Sequence, residues 1–198
     1  AGQAMLRSSE APPPATSAEQ SPQFSIIEYL EPLNSRNRLA IGFDQFANSE
    51  RRNAMWQAMV SGEPALSGRV RLAVENGESA QHGILMFIPV YRSGMPIASE
   101  SERRLAIEGF VFGVFQMGDL MSGILGQSAL GLHFELHDGA DATPETFLYQ
   151  SDSSALTPAP HYENYTLNRE LHLSIAGRPW LIRIHGGSEY TNREALVP

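Results

Sequence analysis

Four short stretches carry residue types that could do chemistry. In His133-Phe134-Glu135-Leu136-His137 two imidazoles flank a carboxylate, a set that ligates zinc when its members converge. The segment is short, apolar and aromatic, so it reads as a strand, and on a strand the three polar side chains share one face. Strand rise then separates the outer histidines by roughly 13 Å, too far for one metal ion without a bulge, and the stretch reads as a polar strand face. Gly126-Gln127-Ser128-Ala129-Leu130-Gly131 sets a serine between glycines. The second glycine falls one place late for a nucleophile elbow, and no base accompanies it. Asn164-Tyr165-Thr166 fits the glycosylation acceptor pattern, which matters only in a secreted eukaryotic chain. Arg51-Arg52 stands where a helix should begin, against the helix dipole. The plain reading is a solvated first turn; the sharper one is that Arg51 faces an anionic or polar ligand. There is no cysteine, which removes thiol catalysis, disulfides and cysteine-bound metals.

These residues must be held by elements that period and punctuation make legible. Phe24–Leu30 reads as a strand, being short, apolar, β-branched and aromatic. Residues 48–62 read as a helix: Asn48 or Ser49 caps it, Met55/Met59 and Trp56/Val60 recur at i, i+4, and Gly62 ends it. Residues 66–74 and 83–91 follow as a hairpin. The second strand is apolar in both phases and therefore central, its regular pairing ending near Ile88 because Pro89 cannot donate. Residues 99–105 form a short helical turn, and 107–116 a strand whose glycines Gly109 and Gly113 leave room on one face. Residues 117–126 make a short helix with Leu120, Ile124 and Leu125 inward. Strands over 131–139, 145–151, 165–177 and 178–187 close the chain, with turns at Gly139 and Gly177. The order gives an α+β fold of antiparallel sheets with short helices, plausible as two small stacked sheets.

Composition narrows the function. With 42% hydrophobic and 18% charged residues the chain can bury a core and is not globally disordered. A formal charge of −8 argues against nucleic acid as a partner. No apolar run reaches the roughly 18–20 residues of a membrane span, and the first ten residues lack the apolar region of a signal peptide. Residues 1–23, rich in Pro, Ser and Ala, read as a flexible linker or an expression remnant. No cofactor motif and no nucleophile–base or metal constellation appears, so the chain reads as no enzyme.

Tyr29–Asp44, "YLEPLNSRNRLAIGFD", then "ERRNAMWQAMVSGEPALSGRVRLAVE", "GILMFIPVY" and "GFVFGVFQMGDLM" stand in an order that resembles the CHASE domain. That family is the extracytoplasmic sensor of bacterial histidine kinases and diguanylate cyclases and of plant cytokinin receptors. The resemblance covers Ile26 to Leu125. It implies two PAS-like modules, a distal ligand-sensing one over 24–126 and a membrane-proximal one over 127–198, with the N-terminal stalk helix largely absent. It implies that the EPL…GFD run crosses from an edge strand to the helix over the distal pocket, with Asp44 anchoring backbone or a nearby arginine. Cytokinin-binding members carry an aspartate at the helix start and a threonine before the F/I-P-V-Y motif. Aligned without gaps, those positions are Arg51 and Phe87, which argues against the plant ligand. Leu39, Gln45, Ser67, Ala73, Leu85, Phe110 and Gly113 correspond to other pocket-lining positions.

The expectation is an extracytoplasmic, periplasmic sensor of a membrane-anchored bacterial protein. Its partner would be a small molecule, anionic if Arg51 takes part, and its output a cytoplasmic kinase or diguanylate cyclase. Homodimerisation is expected in the full-length parent. The alternative, from another class, is a periplasmic protein-interaction or dimerisation module without a small-molecule ligand. A filled core around Phe87, Phe110 and Phe115 would favour it.

Overall fold

The computed structural model describes residues 2–7, 25–34, 37–72, 82–125, 132–151 and 167–186. The chain divides into two compact units, residues 1–80 with 84–115, and residues 81–83 with 116–198. The first break after the long central strand therefore falls at Phe115–Gln116, ahead of the helix that follows it. The fold is α+β, mainly antiparallel sheets with short helices.

The first unit holds β1 (Gly2–Arg7), β2 (Ile26–Glu31), α1 (Ser49–Ser61), β3 (Ala65–Leu66), β4 (Val70–Arg71), β5 (His82–Tyr91), α2 (Glu100–Ala106) and β6 (Ile107–Gln116). Its sheet runs β2-β1-β6-β5-β3, with β4 also on β5. The strand at 2–7 corrects the reading of the whole opening stretch as a linker. GQAMLR has little intrinsic strand preference, but it lies between two partners, Gln3 opposite both Glu31 and Gly113. Hydrogen bonding on both edges supplies what local propensity lacks.

Asn48 caps α1 by accepting from the Arg51 backbone N–H, and Gly62, at φ 80°, ends it by donating to the Ala58 carbonyl. The buried face is Arg51, Ala54, Met55 and Ala58, with Met59 packed beside it. Trp56 lies on the flank instead, its ring 4.5 Å from the Arg104 guanidinium carbon. The alanines let α1 approach the sheet closely, so the contact stripe is set by small residues that hydropathy undervalues. Against it pack Ile27, Leu30, Leu85, Phe87, Phe110 and Phe112. Full burial of a side chain of the larger kind contributes about 1.5–3 kcal/mol.

The expected strand over 66–74 is broken in two after Leu66. Ser67 bridges the break: its N–H donates to the Leu85 carbonyl, its hydroxyl accepts from the Leu85 N–H and donates to the Gly68 carbonyl. These contacts also explain why β5 runs on through Pro89. Leu85 turns its N–H and C=O toward β3, and backbone groups alternate along a strand, so Phe87 and Pro89 face that side as well. The pairing with β3 reaches only Ala65 opposite Phe87. The donor that proline lacks falls past the end of β3, where no ladder bond is lost.

The second unit holds α3 (Met117–Leu125), β7 (Leu132–Asp138), β8 (Phe147–Gln150), β9 (Leu167–Ile175) and β10 (Arg178–Gly186), in sheet order β8-β7-β10-β9. In α3 it is Met117 that is buried, while Ile124, expected inward, is 66% exposed. Ala176 and Gly177 join β9 to β10 at φ 46° and 77°. Positive φ at both central residues is what a two-residue hairpin of matching twist requires. Gly139, at φ 130°, marks the turn after β7.

Candidate functional site

The first unit brings its polar chemistry together where the chain leaves β2 and enters α1. The connection is held by its own polar residues. Asn34 Oδ1 accepts from the Asn37 N–H at 2.8 Å, and Asn37 Nδ2 donates to the Pro32 carbonyl at 2.8 Å. Gly42, at φ 84°, lets the chain turn back, so its N–H donates to the Ile27 carbonyl and Phe43 O accepts from the Ile27 N–H. Asp44 Oδ1 accepts from the Ser25 and Phe46 N–H groups at 2.9 and 3.0 Å, so this carboxylate anchors backbone.

That crossing aims the first turn of α1 inward. Arg51, whose plain reading is a solvated first turn, is instead 5% exposed. Nη1 donates to Gln45 Oε1 at 2.9 Å and Nη2 to the Arg71 carbonyl at 3.4 Å. The guanidinium carbon lies 5.2 Å from the centre of the Phe43 ring. Nε is buried without a hydrogen-bond partner, and no carboxylate among the described residues pairs with the group. Burial lowers its pKa from the ordinary value, since desolvation penalises the charged form. A cation that is desolvated and matched only by neutral acceptors is a standing electrostatic cost. It is also a preformed donor for a carboxylate or phosphate.

The other pocket positions divide. Gln45 is buried and touches Arg51. Leu85, Phe87 and Phe110 belong to the core under α1, with Phe87 and Phe110 edge to face at 6.3 Å. Ser67 is fully buried and spends its hydroxyl on the β3–β5 junction. Gly113 has the Phe115 ring beside it, 3.2 Å from where a Cβ would stand. Leu39 is 76% exposed on a helical turn (Asn37–Ala40), apart from the rest. Ala73 lies outside the described residues. Phe43 and the Arg71 carbonyl are the contacts that sequence reasoning missed. Phe43 had a signal, its place in the GFD run; a backbone carbonyl leaves none.

In the second unit His133, Glu135 and His137 do share a strand face. Two residues from β10 join them, for Arg183 lies opposite Glu135 and His185 opposite His133. Among the described residues no three histidine or acidic groups are arranged to hold a metal ion. The serine of the 126–131 stretch and the 164–166 acceptor pattern lie outside the described residues. No helix of the described residues is long and apolar enough to cross a membrane.

Comparison with curated proteins gives no match. A family model described as CHASE domain matches residues 3–149, from β1 through most of β8 and well over half of the 198 residues. CHASE domains are extracytoplasmic sensor domains of signalling proteins and not catalytic ones. Extending from the N-terminal strand through the Arg51 site into the second sheet, the match shows that the chain belongs to the CHASE domain family.

Proposed function

We propose that this domain senses a small molecule with an anionic head on an apolar body, taken up in a PAS-like pocket of the first unit. In this reading the domain is the periplasmic part of a membrane-anchored bacterial protein. It relays a conformational change to a cytoplasmic kinase or diguanylate cyclase. The observation that carries the reading is Arg51, nineteen-twentieths buried by its 5% exposure, with a spare N–H and no carboxylate among the described residues. An anion there would receive a desolvated charge-assisted hydrogen bond, while Leu85, Phe87 and Phe110 offer apolar surroundings. Ligand and response are linked only if the ligand binds one arrangement of the domain better than the other.

A thermal-shift panel of aromatic and aliphatic carboxylates, each beside its neutral amide, tests this. A binder present at about a hundred times its Kd stabilises by about 2.7 kcal/mol, a readable rise in Tm. We expect acids to shift the protein, their amides to fail, and Arg51→Met to lose the response. Equal response to acid and amide, or binding that survives Arg51→Met, would overturn the role of Arg51.

A second reading, a protein-interaction or dimerisation module without a small-molecule ligand, draws on two observations. Phe115 fills the space beside Gly113, and Phe87 is wholly buried against Phe110 and Phe112. Over residues 88–105, Ile88, Ile97 and Leu105 remain 43%, 46% and 60% exposed, apolar area available to a partner. A silent ligand panel together with a concentration-dependent dimer in sedimentation would favour it.

A further inference from the structure

The second unit carries a buried titratable cluster for which the sensing site has no use. Glu135 of β7 is 1% exposed, His137 2% and His185 of β10 3%. Both imidazoles turn Nε2 toward one oxygen, Glu135 Oε2, at 3.6 and 4.0 Å. Their other nitrogens are committed elsewhere. His137 Nδ1 lies 3.2 Å from Thr146 Oγ1, whose own proton goes to the Asp141 carbonyl at 2.7 Å, so the ring must be the donor. His185 Nδ1 donates to Asn168 Oδ1 at 2.6 Å. In the neutral rings the Nε2 lone pairs are thus turned toward a carboxylate that also accepts from Arg183 Nη1 at 3.2 Å.

We propose that this cluster is a proton-responsive site: mild acidification charges it, and the β9–β10 hairpin loosens its hold on β7. The groups that decide the outcome, among the described residues, come from four strands. His133, Glu135 and His137 stand on β7, Arg183 and His185 on β10, Asn168 and Glu170 on β9, and Gln150 on β8. The Glu135 carboxylate already serves Arg183, and Glu170, 55% exposed, reaches only the outer side of that guanidinium, at 3.2 Å from Nε. A proton on His185 therefore adds positive charge to a desolvated layer in which, among the described residues, Glu135 is the nearby buried acid and Arg183 already draws on it.

The sign follows from His185. Burial holds its pKa below the ordinary histidine value; Glu135 and Glu170 pull it up, and Arg183 and His133 push it further down. A depressed native pKa means that the unfolded or opened chain takes the proton more readily. The stabilisation is complete above the ordinary value of about 6.5 and is lost as pH falls from there through the depressed native value. His185 sits where that loss is felt, since its ring bonds Asn168 on the outermost strand. The hairpin is further tied by Arg183–Glu170, an ion pair more exposed and weaker.

Hydrogen–deuterium exchange on the full chain, with EDTA present and rates corrected for intrinsic exchange, reads this directly. Between about pH 7.5 and about pH 5.5, residues 167–186 should lose protection about tenfold relative to β5 and β6 of the first unit. His185→Gln keeps a side-chain donor but cannot titrate, and should remove the difference. Equal changes in both units, or an undiminished loss in His185→Gln, would overturn the proposal. Should that variant fold poorly, a proton NMR titration of the wild-type histidines decides. The His185 ring must titrate below the ordinary value and in step with the β9 amides; an unshifted ring, or amides that ignore it, refutes the site.

Discussion

Among the described residues the charge on Arg51 has only neutral partners, and its energetics separate function from stability. Were the guanidinium there to hold the fold, replacing it would be costly. Because its partners are neutral and one N–H is unmatched, an apolar side chain of similar length should serve packing equally well. We expect Arg51→Met to leave the ligand-free domain as stable as the parent or about 1 kcal/mol more so in urea melts. A loss of several kcal/mol would make Arg51 structural. Phe87 bears on the family's plant ligand in the same way. It is wholly buried and offers a purine no hydrogen bond where a threonine would. If the ungapped correspondence holds at Arg51 as well, two polar partners worth about 1–3 kcal/mol each are gone. Calorimetry with an adenine-type cytokinin should give no measurable heat, and low-micromolar binding would defeat the argument.

At the scale of elements, α1 depends on its first cap because that cap sets where Arg51 points. Asn48 Oδ1 accepts from the Arg51 N–H at 3.1 Å. Asn48→Ala should lower the stability of the first unit by about 1 kcal/mol, measured by urea melts, and weaken anion binding with it. The ends of α1 are legible in the sequence itself, from Asn48 and Gly62, as is the long strand 107–116. Hydrophobic period failed where small residues or distant partners decide. Ala54 and Ala58 carry little hydropathic weight, yet they help set the buried face. In α3 the apolar pattern pointed to Ile124, whereas the packing uses the first turn at Met117. β1 has a local sequence that favours no strand and is made one by β2 and β6. In the second sheet the H-x-E-x-H face was visible, but its completion by Arg183 and His185 depends on a pairing 48 residues away in sequence for Arg183 and Glu135. No local rule reports such a pairing.

The molecule as a whole comprises two compact units, and its two tryptophans report on them one apiece. Trp56 lies on α1 in the first unit; Trp180 is buried on β10 in the second. Single-tryptophan variants, Trp56→Phe and Trp180→Phe, should therefore show urea transitions with different midpoints, because small units with their own cores unfold independently. Only the Trp180 signal should shift when the melt is repeated at mildly acidic pH. Coincident transitions at every pH would mean that the chain unfolds as one cooperative body.

Pro89 also has a consequence for the margin of β5 beyond the end of β3. Past Phe87 the β3 side of β5 has no partner strand among the described residues, and apolar side chains such as Ile88 stand exposed nearby. An open strand margin of that kind is a template on which a second chain can extend the sheet. The residue whose backbone would begin such growth is the one amino acid that cannot donate, so strand addition from another copy meets a gap at its first step. That single imino acid therefore disfavours strand addition at this margin, and Pro89→Thr should restore the missing donor.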